Sequence, residues 1–154
     1  MLFRSIDTYH SAIITNNNFT NNYIDGQGSA NRIPMGAAIC ANNGGDPDYT
    51  ITLENNTFIG NEARENGCGG AVFTMPDTTL NSNNNTYKNN VANEAGVIYN
   101  QGSFTSTNDT VKGNTANDTA GVANYGDATF TDGVFEDNTG LKYTGVFKIG
   151  RAHV

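Results

Sequence analysis

Asn55-Asn56-Thr57-Phe58-Ile59-Gly60-Asn61 is the stretch that decides the fold, because the chain uses it again and again. It returns as Asn84-Asn85-Thr86-Tyr87-Lys88-Asn89-Asn90 and as Asn108-Asp109-Thr110-Val111-Lys112-Gly113-Asn114. It returns again as Asp132-Gly133-Val134-Phe135-Glu136-Asp137-Asn138, and an earlier copy is Asn16-Asn17-Asn18-Phe19-Thr20-Asn21-Asn22. Each copy holds a large apolar residue: Phe19, Phe58, Tyr87, Val111 or Phe135. Three positions after it stands Asn22, Asn61, Asn90, Asn114 or Asn138.

A second motif alternates with the first. It is glycine followed by two apolar residues: Gly36-Ala37-Ala38, Gly70-Ala71-Val72, Gly96-Val97-Ile98, Gly121-Val122-Ala123 and Gly145-Val146-Phe147. By subtraction these glycines are 34, 26, 25 and 24 residues apart. A period in that range means a solenoid or an array. Between the motifs lie the pairs Ala12/Ile14, Ile51/Leu53, Leu80/Ser82, Phe104/Ser106 and Ala128/Phe130. Their two-residue spacing is the strand period, with both members on one face. Each unit is therefore expected to hold about three short strands, separated by turns rich in Asn, Asp and Gly.

Short strands that each pair with their equivalent one coil along make an all-β parallel β-helix of about five coils, which the resemblance described below implies is right-handed. Like residues then stack about 4.8 Å apart. Phe19, Phe58, Tyr87, Val111 and Phe135 are expected to form an interior column. The column Asn22, Asn61, Asn90, Asn114 and Asn138 is expected at a corner, where Asn tolerates left-handed backbone and its amide bonds the Asn above and below. The column Gly36, Gly70, Gly96, Gly121 and Gly145 marks another corner, one that needs positive φ or close backbone approach.

The two motifs resemble the G-G-A-[ILV] and F-x-x-N repeats of the polymorphic outer membrane proteins. Similar repeats occur in the adhesin-like surface proteins of methanogenic archaea. Gly69-Gly70-Ala71-Val72 carries the first motif in full, and the other copies are degenerate. Phe19 to Asn22, Phe58 to Asn61 and Phe135 to Asn138 carry the second, with Tyr87 and Val111 as substitutions. The resemblance covers roughly residues 12–148. It implies a pectate-lyase-like solenoid and a cell-surface or secreted protein, possible in an outer membrane, whose partners are host or neighbour-cell glycans or proteins.

An apolar content of 36% suits a thin solenoid core better than one compact core. A net charge of −7 argues against nucleic acid as a partner. No apolar run is long enough for a membrane-spanning helix, and residues 1–16 lack the basic start and apolar run of a signal segment. Cys40 and Cys68 project six positions apart on one coil, on the order of 20 Å along a strand. That is too far for a disulfide, so both are expected as free thiols.

In order, residues 1–11 read as a lead-in and 12–148 as the array, a piece of a longer one. Such a piece has open ends and is expected to self-associate. Residues 149–154, Ile-Gly-Arg-Ala-His-Val, are also the translation of ATC GGA AGA GCA CAC GTC. That is the start of a widely used sequencing adapter, so the hexapeptide reads as read-through. Tyr23 to Arg32 and Ala41 to Asp48 are the long insertions, and they read as loops. Asp25, Asp46 and Asp48 could reach a common cation such as Ca²⁺, although Asp-Gly and Asp-Pro-Asp are ordinary turn chemistry and no other cofactor is indicated.

No catalytic group assembles. A glycosidase needs two carboxylates about 5–9.5 Å apart, yet the best candidates, Glu54 and Asp132, stand three coils apart. Arg64 with Glu62 and Glu65 reads as a solvated turn, as does Glu136 with Asp137. Tyr99 and Tyr125 lie near one another in successive coils, either as a carbohydrate-stacking platform or as a shield over the wall. Sequons at Asn18, Asn55, Asn84, Asn108 and Asn117 are about as many as chance gives in so Asn-rich a chain. An ice-binding face would need a flat ladder of T-x-T pairs; only Thr105-Ser106-Thr107 approaches one, so that reading is set aside. The expectation is a non-catalytic segment of an adhesin-like protein; the alternative is a fragment of a polysaccharide-active lyase or glycoside hydrolase.

Overall fold

The computed structural model describes residues 5–26, 33–42, 49–148 and 152–153. They wind into a right-handed parallel β-helix with four sheets, of six, six, five and five strands. The repeat predicts three strands per unit, and the structure has four. One coil runs Val72–Thr74, Thr79–Asn83, Thr86–Lys88 and Val91–Ala92, and each of these strands pairs in parallel with its equivalent in the coils on either side. The fourth strand is only two residues long, too short to leave a period in the sequence. The lead-in also belongs to the array, since Ile6–Thr8 pairs in parallel with Ile39–Ala41. At the other end Ala152–His153 pairs with Ala128 and Thr129.

The apolar column lies inside. Phe19, Phe58, Tyr87, Val111 and Phe135 are in register from coil to coil. The rings of Phe19, Phe58 and Tyr87 stack with centroids 4.8 Å apart, which is the rise of one coil. Phe135, in the last full coil, is only partly buried and packs edge-on against Phe130.

Beside it stands the Asn ladder. Asn22 Nδ2 donates to Asn61 Oδ1 at 2.9 Å, Asn61 to Asn90 at 2.9 Å, Asn90 to Asn114 at 3.0 Å and Asn114 to Asn138 at 2.9 Å. The second amide hydrogen reaches a carbonyl of the preceding coil, as from Asn90 to Phe58 O at 3.0 Å. Each backbone N–H also points to the next Oδ1, as from Asn61 to Asn90 at 2.9 Å. A fully buried amide thus has its donors and acceptor satisfied, which removes the desolvation cost of burying it.

Two corner assignments change. Left-handed backbone falls one residue before each ladder Asn, at Asn21, Gly60, Asn89, Gly113 and Asp137, with φ between 54° and 66°. The Asn itself is then free to point inward. The five motif glycines do not form one column. Ile39 pairs with Val72, which sets Gly36 opposite Gly69 and not Gly70. Val72 pairs with Ile98, which sets Gly70 opposite Gly96. Ile98 pairs with Val122 and Val122 with Val146, which sets Gly121 opposite Val97 and Gly145. Of the five, only Gly36 has a positive φ, while Gly70, Gly96 and Gly121 stand where backbone of a neighbouring coil leaves no room for a Cβ.

Candidate functional site

The broadest outward surface belongs to the sheet containing Ala12–Thr15, Thr50–Glu54, Thr79–Asn83, Ser103–Thr107 and Ala128–Thr131. Alternate residues face out. One outward column is Ile13, Thr52, Asn81, Thr105 and Thr129; the next is Thr15, Glu54, Asn83, Thr107 and Thr131. Three coils therefore place a T-x-T pair on the same face: Thr50-Ile51-Thr52, Thr105-Ser106-Thr107 and Thr129-Phe130-Thr131. The sequence alone shows all three triplets, although the expectation above took only the middle one; the register adds that they share one face. The hydroxyls of Thr52, Thr105, Thr107, Thr129 and Thr131 make no hydrogen bond to other described residues. They form a grid with steps of about 4.8 Å between coils and about 6.8 Å along a strand, open to a ligand or to water. Ile13, Glu54, Asn81 and Asn83 interrupt it.

Tyr99 and Tyr125 are close but not in one column. Tyr99 pairs with Ala123, and Tyr125 lies beyond the strand Val122–Asn124. Their ring centroids are 4.9 Å apart at 36°, and Tyr99 stacks on Phe73 at 5.4 Å and 11°. Tyr99 lies between the Phe73 and Tyr125 rings, which leaves little of its own faces for a sugar. With Phe73, Met35 and Met75, Tyr99 covers Cys40 and Cys68 on the outside of the wall, so the shielding role is the one the geometry provides. Neither cysteine is in a disulfide, and both are buried. Burial pushes the Cys68 thiol up to about 12, and Glu94 at 3.8 Å adds to the effect, so at neutral pH it is not a nucleophile.

The acids stay apart. Asp25 has a buried Oδ1 without a hydrogen-bond partner, while Asp46 and Asp48, the other two of the suggested cation set, lie outside the described residues. Among the described residues no group of three His, Cys, Asp or Glu side chains could hold a metal ion. Lys112 Nζ lies 2.8 Å from Glu136 and 3.6 Å from Asp137, and Lys142 lies 2.7 Å from Asp118. Arg64 pairs with Glu62 at 2.9 Å and covers the Tyr23 ring at 4.2 Å. Asp132 sits at a left-handed corner in register with Asn108, away from Glu54. Asn55, Asn84 and Asn108 share that corner, and Asn84 Nδ2 bonds Asn55 Oδ1 at 2.6 Å.

A second buried ladder was present in the quoted repeat but carries no apolar marker beside it. Asn17 N–H donates to Asn56 Oδ1 at 2.9 Å, Asn56 to Asn85 at 2.8 Å and Asn85 to Asp109 at 2.8 Å. Ser106 Oγ donates to Asp109 Oδ2 at 2.6 Å, and the hydroxyls of Ser82 and Tyr87 share a hydrogen bond of 2.8 Å. The interior therefore contains a carboxylate, two serines and a phenol. Burial pushes the Tyr87 phenol well up, and the Asp109 charge adds to the effect.

Comparison with protein-family models, with curated proteins and with solved structures finds no match to this chain. No helix among the described residues is long and apolar enough to cross a membrane.

Proposed function

We propose that the chain is a non-catalytic display segment of an adhesin-like protein that works outside the cell, with a repeat similar to that of the polymorphic outer membrane proteins. The observation that carries the reading is the outward hydroxyl grid on an array whose register runs unbroken through the whole coil stack. A rigid wall of repeats holds many weak hydrogen-bonding groups at fixed spacing, and a periodic partner such as a glycan chain meets several of them at once. Carboxylates paired to lysines at the surface, and one locked inside a ladder, serve the wall and not a reaction.

The test is a glycan pull-down with the intact protein, with product analysis on the same samples. Binding without turnover is expected. A Thr105→Glu, Thr129→Glu double variant sets like charges side by side on the exposed face and should weaken binding at least about tenfold, a change of about 1.4 kcal/mol, with circular dichroism unchanged. Product formation overturns the reading in favour of a polysaccharide-active enzyme, and retention of full binding by the double variant removes the grid from it.

A further inference from the structure

We infer that Asp109 is an acid-operated link in the inner ladder: with its carboxyl neutral it continues the ladder as an asparagine would, and ionised it lacks the donor half of the link, so acid tightens the solenoid. The inference is independent of what the outer face binds.

The preceding members of the ladder define what the position demands. Each Asn offers Oδ1 to the coil before it and gives one Nδ2 hydrogen to a backbone carbonyl of that coil. Asn56 gives it to Ile14 O at 2.7 Å, and Asn85 gives it to Leu53 O at 2.9 Å. Ile14, Leu53 and Ser82 are in register, so the corresponding carbonyl for Asp109 is that of Ser82. Asp109 keeps the acceptor half of the pattern, since its Oδ1 takes the N–H of Asn85 at 2.8 Å and an Asn85 Nδ2 hydrogen at 3.3 Å. An ionised carboxylate has no hydrogen for the donor half, whereas a neutral one has a single O–H.

The surroundings favour the neutral form. Asp109 is 1% exposed. The hydroxyls of Ser106 beside it and Ser82 from the preceding coil hydrogen-bond it, and the titratable group that faces it among the described residues is the Tyr87 phenol, an acid itself. Among the described residues no lysine or arginine pairs with it. The following coil places Phe130 over Ser106 and Gly133 over Asp109, and neither brings a side-chain donor. Burial raises the Asp109 carboxyl above the ordinary carboxylate range, against the lowering effect of its hydroxyl and amide donors. The folded chain then holds this proton more tightly than the unfolded one. The stability it contributes is complete below the unfolded carboxylate value and is lost as pH rises through the folded one.

The direct measurement is the side-chain carboxyl resonance of Asp109 in a ¹³C-labelled chain, assigned by its loss in Asp109→Asn and followed with pH. A midpoint above the unfolded value of about 3.9 is expected; one at or below it overturns the inference. Thermal melts give the second arm. Asp109→Asn should melt at least roughly 2–4 °C above the parent at neutral pH and should lose the parent's decline in melting temperature with rising pH. Asp127→Asn removes the same formal charge from an exposed position and should keep that decline. An Asp109→Asn chain that melts below the parent at neutral pH, or one that keeps the full decline, also overturns it. If the variant does not fold, the resonance in the parent is assigned by sequential connectivity and decides alone.

Discussion

Phe58→Asp is expected to abolish folding of the central coils. Phe58 is fully buried, with the Phe19 ring on one side and the Tyr87 ring on the other, both at 4.8 Å and within 10° of parallel. A carboxylate there loses both ring contacts and gains no donor. The nearest ladder amide, Asn90 Nδ2, is committed to the Phe58 backbone carbonyl at 3.0 Å. An unpaired buried charge costs more than about 4 kcal/mol, which is a large part of the total stability of about 5–15 kcal/mol that a domain has to lose. In a solenoid each coil rests only on its neighbours, so the damage spreads to the coils that Phe58 joins. Circular dichroism should show loss of strand signal, and urea titration should show no cooperative transition. Phe58→Leu, which keeps an apolar side chain in the column, should retain both. An aspartate variant with the parent's spectrum and midpoint would place Phe58 outside the core.

The fold was legible because the chain states it several times over. Any one copy of the repeat could be a turn; five copies in one phase with a glycine motif cannot be disorder or a single globular core. The interior Phe column and the Asn ladder beside it followed from that phase alone. What was not legible belongs to register and to compensation. The sequence cannot say which of two adjacent residues takes the left-handed corner, and the structure gives it to Asn21, Gly60, Asn89, Gly113 and Asp137. The stacked T-x-T face is a property of pairing between coils and is invisible in a single strand. Ser82 and Ser106 look like faults in an apolar column that elsewhere holds Ile14, Leu53 and Phe130. They are matched to changes elsewhere: Ser82 meets the hydroxyl that distinguishes Tyr87 from Phe58, and Ser106 meets the carboxylate that replaces Asn at Asp109. Sequence shows each half of such a pair as a weak match, and only the fold brings the halves together.

Gly36→Ala and Gly145→Ala should differ sharply, although the sequence motif treats the two glycines alike. Gly36 has φ of 59°, in the left-handed region. A Cβ built there would fall on the Ile39 carbonyl oxygen and lie 2.9 Å from the Phe73 nitrogen, both of them backbone atoms with no room to yield. Those atoms belong to the paired strands Ile39–Ala41 and Val72–Thr74, so relief of the clash would pull apart two coils. Left-handed strain in an L-residue costs about 1–2 kcal/mol and overpacking adds about 1–3 kcal/mol. The urea midpoint of Gly36→Ala should therefore fall by an amount equivalent to roughly 2–5 kcal/mol. At Gly145 a Cβ meets no atom of the described residues within 4 Å, and φ is not positive. Alanine there removes freedom only from the unfolded chain, so its effect should stay within about 0.5 kcal/mol or be slightly stabilising. Equal midpoints for the two variants would mean that the first corner is looser than its backbone geometry requires, and that the glycine motif marks chemistry other than the turn.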